Sequence, residues 1–181
     1  MKDEAHTNTR LVEKCLEGDV KAQYQLYRKY SKGLYNIAIR LMGNKMDAED
    51  VLQESFIKAF RCMGELKDTE ALGGWLKRIV TNKCISLLRK TRVRFEEIED
   101  YKLDVTEEEE LESYIEPELV HNTIKELPEG ARTIIVLRAL EGYAHKEIAE
   151  MLGISLSTSK TQYHRALGIL KMKLKQQLYA E

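Results

Sequence analysis

The amino-acid sequence predicts an all-α protein made of two small helical domains that an acidic linker joins. The first observation is composition, because two prolines and ten glycines in 181 residues leave few of the turns that an all-β fold requires. The second is periodicity, since apolar residues recur at helical spacing over long stretches. The third is charge, which is net +9 over residues 20–95, −11 over residues 96–120 and +3 over residues 121–181.

These changes in character set the expected limits of each part. Residues 1–19 form an N-terminal leader, residues 20–92 the first domain, residues 93–117 the acidic linker and residues 118–178 the second domain. A polyanionic partner such as nucleic acid suits both basic blocks, whereas nucleic acid would repel the acidic one.

The sequence also argues against several classes of protein. No apolar run reaches the length of a membrane span and the first residues are charged, so we expect a cytoplasmic protein with no direct membrane insertion. The three cysteines, Cys15, Cys62 and Cys84, lack metal-ligand spacing. We therefore expect reduced, packed thiols and neither a metal site nor a cofactor.

The first domain is expected to begin with two helices. A short helix spans residues 9–16 after a loose leader, and a longer amphipathic helix spans residues 20–42 and ends at Gly43. The side of the longer helix that should face the core carries Tyr24, Tyr27, Leu34, Ile37, Ala38 and Leu41.

The next predicted helix, residues 47–60, has two distinct faces. Asp47 is a suitable N-cap, because its carboxylate can accept backbone N–H groups at the helix start. The face expected to be buried continues beyond the helix and consists of Leu52, Phe56, Ala59 and Met63. The face expected to be exposed carries Asp50, Gln53, Glu54 and Lys58.

A fourth helix, which Thr69 is expected to cap, carries the single tryptophan and runs to Lys90. Its predicted inner side consists of Leu72, Trp75, Leu76, Ile79, Val80, Leu87 and Leu88. Its outer side carries Arg78, Asn82, Ser86 and Arg89. A basic face that also offers an amide and a hydroxyl suits contacts with phosphates and bases together. The alternative is a solvated basic face without a ligand.

The second domain contains a pattern typical of a helix-turn-helix. Ile148, Ala149 and Leu152 share one face of a first helix, and the glycine that follows tolerates the positive φ of a turn. Ser155 can cap the second helix, whose polar stripe would enter the DNA major groove. This stripe consists of Ser157, Lys160, Thr161, His164 and Arg165. A plain helical hairpin with a solvated polar face is the alternative.

With these elements placed, the chain resembles a bacterial RNA polymerase sigma factor of the sigma-70 family, in the small extracytoplasmic-function (ECF) group. Residues 47–60 resemble the family's region 2.2, residues 75–90 resemble regions 2.3 and 2.4, and residues 127–166 resemble region 4. The three stretches occur in the family's order and spacing. The resemblance implies a protein that is not an enzyme, that binds RNA polymerase core, and that recognises and melts promoter DNA.

The resemblance also implies a role for each matching residue. The clamp helices of the polymerase β′ subunit would contact Asp47, Asp50, Gln53, Glu54 and Lys58. The −10 element, from which one base is flipped during melting, would contact Leu66, Lys67, Asp68, Arg78, Asn82, Lys83, Ser86, Arg89 and Lys90. The −35 element would contact Ser155, Ser157, Lys160, Thr161, His164 and Arg165. Further partners implied by the family are the polymerase β flap and an anti-sigma factor, which is commonly membrane-anchored.

Three positions depart from the family pattern and resemble variants found in Bacteroidetes members. Gln162 stands where an arginine is common, so it removes one charge able to contact phosphate. Ser159 stands at a position that is often aliphatic, which weakens the expected inner packing of its helix. Ser86 replaces an acid that is common in the family.

Three alternative classes stay open beside this resemblance. An enzyme would need clustered catalytic groups, but the four histidines are dispersed and no phosphate-binding loop or hydrolase motif occurs. A self-sufficient transcriptional regulator would bind duplex DNA unaided through its helix-turn-helix. A sequestered interaction protein would act only through the partner that holds it. A requirement for polymerase core separates a sigma factor from the regulator.

Overall fold

The computed structural model describes residues 2–90 and 115–178, with side chains from Thr7 onward, and all regular structure within these ranges is helical. The α-helices are α1 (Lys2–Leu16), α2 (Val20–Met42), α3 (Lys45–Arg61), α4 (Leu72–Lys90), α5 (Pro117–Lys125), α6 (Glu129–Ile135), α7 (His145–Leu152) and α8 (Leu156–Leu178). Backbone contacts divide the chain after Leu88 into two units, so the all-α class and the two-part organisation are confirmed. The predicted acidic linker falls mostly on residues 91–114, which lie outside the described residues.

Helix α1 differs from the loose leader that the sequence predicted. It begins at Lys2 instead of residue 9, and it packs on α2. Leu11, Val12 and Cys15 are buried on its inner side. The buried amide oxygen of Asn8 accepts hydrogen bonds from two α2 side chains, the Lys29 ammonium at 2.8 Å and the Tyr30 hydroxyl at 3.2 Å. Residues far away in the sequence thus hold α1 in place, and the pattern of neighbouring residues does not reveal these contacts.

Helix α2 has the predicted limits, and its predicted inner residues Leu34, Ile37, Ala38 and Leu41 are buried, whereas the two predicted tyrosines are not. Asp19 caps its start by accepting the N–H of Lys21 at 2.8 Å, and Gly43 ends it with a φ of 77°. Leu26 and Leu41 are fully buried and set the inner side. Tyr24 was predicted on that side but is 61% exposed, and Tyr27 is 37% exposed although its ring packs against that of Phe56.

The start of helix α3 also differs from the prediction, since its N-cap is Asn44 and not Asp47. The Asn44 side-chain oxygen accepts the N–H of Asp47 at 2.9 Å, and its amide nitrogen donates to the Asp47 carboxylate at 2.7 Å. The predicted apolar stripe is confirmed as buried and consists of Leu52, Phe56, Ala59 and Met63.

Helix α4 begins at Leu72, after the residue predicted to cap it. The hydroxyl of Thr69 instead bonds the hydroxyl of Thr9 in α1 at 2.6 Å. The predicted inner residues are buried in part, with Leu72, Leu76, Val80 and Leu88 fully inside and Trp75, Ile79 and Leu87 half-buried. The buried face also includes three residues that the sequence interpretation left out, Thr81, Cys84 and Ile85.

The second unit packs α5, α6 and α7 against the long helix α8. Pro117 lies in the first turn of α5, where the absent N–H has no helical partner to lose. Helix α6 continues into a single π-helical turn, Val136–Leu140. The largest fully buried side chains of this unit are Ile134, Ile135, Leu137, Ile148 and Ile169. Each contributes about 1.5–3 kcal/mol by leaving water, and this core fixes where α7 and α8 lie.

Candidate nucleic-acid interface

Helices α7 and α8 form the predicted helix-turn-helix. Gly153 ends α7 with a φ of 70°, a left-handed conformation that a side chain would strain. Ile148 and Leu152 are buried on the inner face of α7. Ser155 then caps α8 as predicted, because its hydroxyl accepts the N–H of Thr158 at 3.0 Å. Residues of the turn itself therefore set where α8 begins.

The polar stripe predicted on α8 lies on the solvent side of that helix. The exposed members are Ser157, Lys160, Thr161 and His164, and Arg165 is half-buried at the edge. The exposed hydroxyl of Ser155 bonds the hydroxyls of Ser157 and Thr158, each at 2.8 Å. Two fixed positive charges beside several hydroxyls can contact phosphates and base edges in a major groove.

The inner side of α8 is more polar than a helical core normally is. Ser159 is fully buried, and its hydroxyl lies 3.1 Å from Nδ1 of His145, the first residue of α7. Gln162 is only 4% exposed, and its side-chain oxygen lacks a hydrogen-bond partner among the described residues. The position of Gln162 therefore faces the core, and the expected loss of a phosphate contact there does not apply.

Burial and neighbouring positively charged groups lower the pKa of His145. Loss of hydration is the largest cause, followed by the charges of Arg138, Lys160 and His164. A pKa below the ordinary histidine value keeps the imidazole neutral at physiological pH. Neutral Nδ1 then accepts from or donates to Ser159 according to the tautomer.

The outer side of α4 carries the row of basic and polar residues that periodicity predicted. Its exposed members are Arg78, Asn82, Ser86, Arg89 and Lys90. The loop before α4 supplies the exposed Lys67 and Asp68 and the half-buried Leu66. The carboxylate of Asp68 accepts the N–H of Glu70 at 2.8 Å, which orders this loop. A basic row beside an ordered loop suits the backbone of a single strand.

Lys83 differs from the other residues predicted to contact the −10 element. Its side chain is 33% exposed, and its ammonium forms an ion pair with Glu54 of α3. Lys83 thus faces α3, whereas its neighbour Asn82 is exposed on the outer side. The structure joins a residue predicted to contact DNA with one predicted to contact polymerase.

Helix α3 presents the polar face that was predicted for polymerase. Its exposed members are Asp50, Gln53, Glu54 and Lys58. Asp47 is half-buried, and the Asn44 amide holds its carboxylate at the helix start. Phe56, on the opposite side of α3, packs against Tyr27 of α2 with ring centroids 4.8 Å apart. This aromatic contact fixes the orientation of the polar face.

Two apolar residues near this face were missed from the sequence. Met46 is 73% exposed and Ile57 is 52% exposed. Both fall outside the apolar stripe of α3, and that mismatch is the sequence signal that could have found them. Exposed apolar side chains beside acids and amides are typical of protein contact surfaces.

Two further observations concern the described part of the chain alone. None of its helices combines the length and apolar character that a bilayer crossing requires. None of its His, Cys, Asp and Glu side chains form a group of three or more that could hold a metal ion.

Comparison with protein families gives two matches in the order of the two units. The family description Sigma-70 region 2 matches residues 26–94, and Sigma-70, region 4 matches residues 118–170. Among curated proteins, the chain is 32% identical to the ECF RNA polymerase sigma-E factor of Haemophilus influenzae, over 93% of this chain and 95% of that one. It is 33% identical to the RNA polymerase sigma-H factor of Pseudomonas aeruginosa, over 87% and 88% of the two chains.

Solved structures give the same picture for the fold. CnrH in complex with the cytosolic domain of CnrY is 26% identical, with a TM-score of 0.52 over 91% of this chain and 95% of that chain. The sigma factor RpoE of Bartonella quintana, in complex with the anti-sigma factor NepR, is 24% identical, with a TM-score of 0.55 over 86% and 98% of the two chains.

Proposed function

The chain belongs to the sigma-70 family of RNA polymerase sigma factors, in its ECF group, and we propose that its two units share promoter recognition between them. It is a transcription initiation factor and not an enzyme. It binds RNA polymerase core, recognises the −35 and −10 promoter elements and promotes DNA melting. The observation that carries this conclusion is the match of both sigma-70 regions, in order, to the two helical units.

The second unit reads the −35 element through α8. Support comes from the exposed stripe on that helix, in which Lys160 supplies a fixed charge and Thr161 and His164 supply donors and acceptors. Ser155 and Ser157 lie at the start of α8, the part of a recognition helix that approaches base edges. Arg165, at the edge of the stripe, contacts phosphate in this proposal.

Helix α4 and the loop before it engage the −10 element. The row from Arg78 to Lys90 supplies positive charge for the separated strand, and Asn82 and Ser86 supply base-edge contacts. The loop residues Leu66, Lys67 and Asp68 hold the flipped base, since an extruded base needs a pocket that reads its edge. Lys83 supports α4 from the side of α3 in this scheme.

The exposed face of α3 binds the clamp helices of the polymerase β′ subunit, and the second unit also contacts the β flap. Asp50, Gln53, Glu54 and Lys58 give this face its charge and hydrogen-bonding groups. Ile57 adds an apolar contact at its centre, where a protein interface gains most from excluding water. Asp47 contributes mainly by holding the start of α3.

Several finer assignments complete the proposal. We assign the functional domains to residues 20–92 and 118–178, with the acidic segment 93–117 as the tether that raises effective concentration. The protein works in the cytoplasm, where an anti-sigma factor controls it. In support, the structurally similar RpoE is in complex with the anti-sigma factor NepR, and CnrH is in complex with the cytosolic domain of CnrY. Ser86, Ser159 and Gln162 support a Bacteroidetes-like origin.

Run-off transcription on a randomised promoter library tests this function. Purified polymerase core with this protein should initiate at sites that share a −35 and −10 pair, and core alone should not. Tight unaided binding to a duplex site, without core-dependent initiation, would assign the chain to the self-sufficient regulators instead. Because phosphate contacts release counterions, initiation complexes should weaken steeply with salt.

A further inference from the structure

A hydrogen bond ties the first residue of α7 to the buried side of α8. Nδ1 of His145 lies 3.1 Å from the hydroxyl of Ser159, and Ser159 is fully buried at a position where helical periodicity calls for an apolar side chain. Among the described residues, His145 is the partner that the structure gives this hydroxyl. Removing the imidazole would take this partner from a buried hydroxyl, a loss that costs more than the same loss at an exposed position.

A second contact joins the same two helices one turn further along. The His145 ring meets the ring of Tyr163 edge-on, with centroids 5.4 Å apart and planes at 69°. Ser159 and Tyr163 are separated by one helical turn, so His145 holds α8 at two successive levels. Each anchored residue directly precedes an exposed member of the stripe, since Lys160 follows Ser159 and His164 follows Tyr163.

We propose that His145 is a positioning residue, which through Ser159 and Tyr163 sets the orientation in which α8 meets the −35 element. This proposal rests on the proposed function of α8. A small rotation of α8 about its axis would move Lys160 and His164 together, and base-edge hydrogen bonds weaken steeply when misaligned. His145 acts through α8 and need not touch DNA itself.

The environment of His145 supports this role over a direct phosphate contact. Burial and the charges of Arg138, Lys160 and His164 lower its pKa, so the ring is neutral and contributes little attraction for phosphate. A neutral imidazole is also the form whose Nδ1 can accept from a serine hydroxyl.

The test compares amide replacements that mimic the two ring nitrogens. The amide of asparagine lies where Nδ1 lies, whereas that of glutamine lies nearer the place of Nε2. His145→Ala should lower initiation from a −35-dependent promoter by about threefold to tenfold, which is the loss expected for one buried hydrogen bond. His145→Asn should restore most of it and His145→Gln should not, in the full chain bound to polymerase core.

Matched controls separate positioning from loss of folding. Thermal melts of the three variants show whether they are equally folded at the assay temperature. Ser159→Ala should remove the part of the effect of His145→Ala that passes through their shared hydrogen bond and leave the part that passes through Tyr163. If wild-type initiation ignores the −35 sequence, the proposed function of α8 fails and the inference fails with it. If wild type depends on −35 but alanine has no effect, or glutamine restores as well as asparagine, only the inference is overturned.

Discussion

The ion pair between Glu54 and Lys83 allows one prediction to be worked through from geometry. Lys83→Met removes the charge and keeps most of the aliphatic stem, and Glu54→Gln keeps the shape of the carboxylate. The Glu54 side chain is 58% exposed and the Lys83 side chain is 33% exposed, so water screens the pair. Its coupling energy should therefore be about 0.2–1 kcal/mol. The double variant should be less destabilised than the sum of the single variants by this amount.

Urea unfolding followed by tryptophan fluorescence measures this coupling. Trp75 is the single tryptophan of the chain and lies in α4, the helix that carries Lys83, so its signal reports the first unit. The coupling should shrink as salt is added, because partly exposed charges are screened. If the effects of the two single variants on the free energy of unfolding were strictly additive at low salt, the view that this pair joins α3 and α4 would be refuted.

The Lys83→Met substitution also tests whether Lys83 contributes to DNA binding. Because Glu54 holds its ammonium, Lys83→Met should weaken binding of the assembled holoenzyme to forked −10 DNA by less than about twofold. Arg78→Met on the exposed row is the matched control, and it should weaken binding more and lower the salt slope by about one. Equal losses for the two variants would contradict the assignment of Lys83 to support α4.

Three further predictions follow from single side chains. Arg165→Ala should lower initiation from a −35-dependent promoter by roughly fivefold or more, measured by run-off transcription, while a promoter with a scrambled −35 element should show no further loss. The lowered pKa of His145 means that the unfolded state binds more protons, so stability should fall as pH drops below about 6.5; thermal melts should show this fall in wild type and less of it in His145→Asn. The buried thiol of Cys84 has a pKa raised to about 12, so alkylation followed by mass spectrometry should modify the half-exposed Cys62 first, and equal rates would contradict the burial.

Features fixed by neighbouring residues were predicted well from the sequence. The limits of α2 follow from a cap at Asp19 and a left-handed Gly43, both of which are local. The turn at Gly153 and the cap at Ser155 are local in the same way, and they identify the helix-turn-helix. Periodicity then predicts the exposed stripe of α8, because the apolar side of a helix faces the core and the opposite side faces solvent.

Features that depend on distant partners were missed. The first half of α1 is held by Asn8, whose partners lie on α2, so a local pattern starts the helix at residue 9 instead of Lys2. The exposure of Tyr24 depends on which side of α2 the other helices cover. The basic residues of α4 predict that Lys83 contacts DNA, whereas the structure pairs its ammonium with Glu54 of α3, a partner that the pattern of α4 alone does not show. The sequence predicts that Ser159 weakens the inner packing of α8, because its hydrogen-bond partner His145 lies on another helix and is not visible in the local pattern.

The most direct test of the central claim is permanganate probing of thymines in the −10 element, on a promoter recovered from the run-off library. Permanganate oxidises thymines that are unpaired, so it reports melting itself. Reactive thymines should appear only when this protein and RNA polymerase core are both present, and substitution of the exposed row on α4 should reduce them. Melting by core alone, or stable promoter binding without reactive thymines when both are present, would contradict the assignment of this chain as the factor that opens promoter DNA.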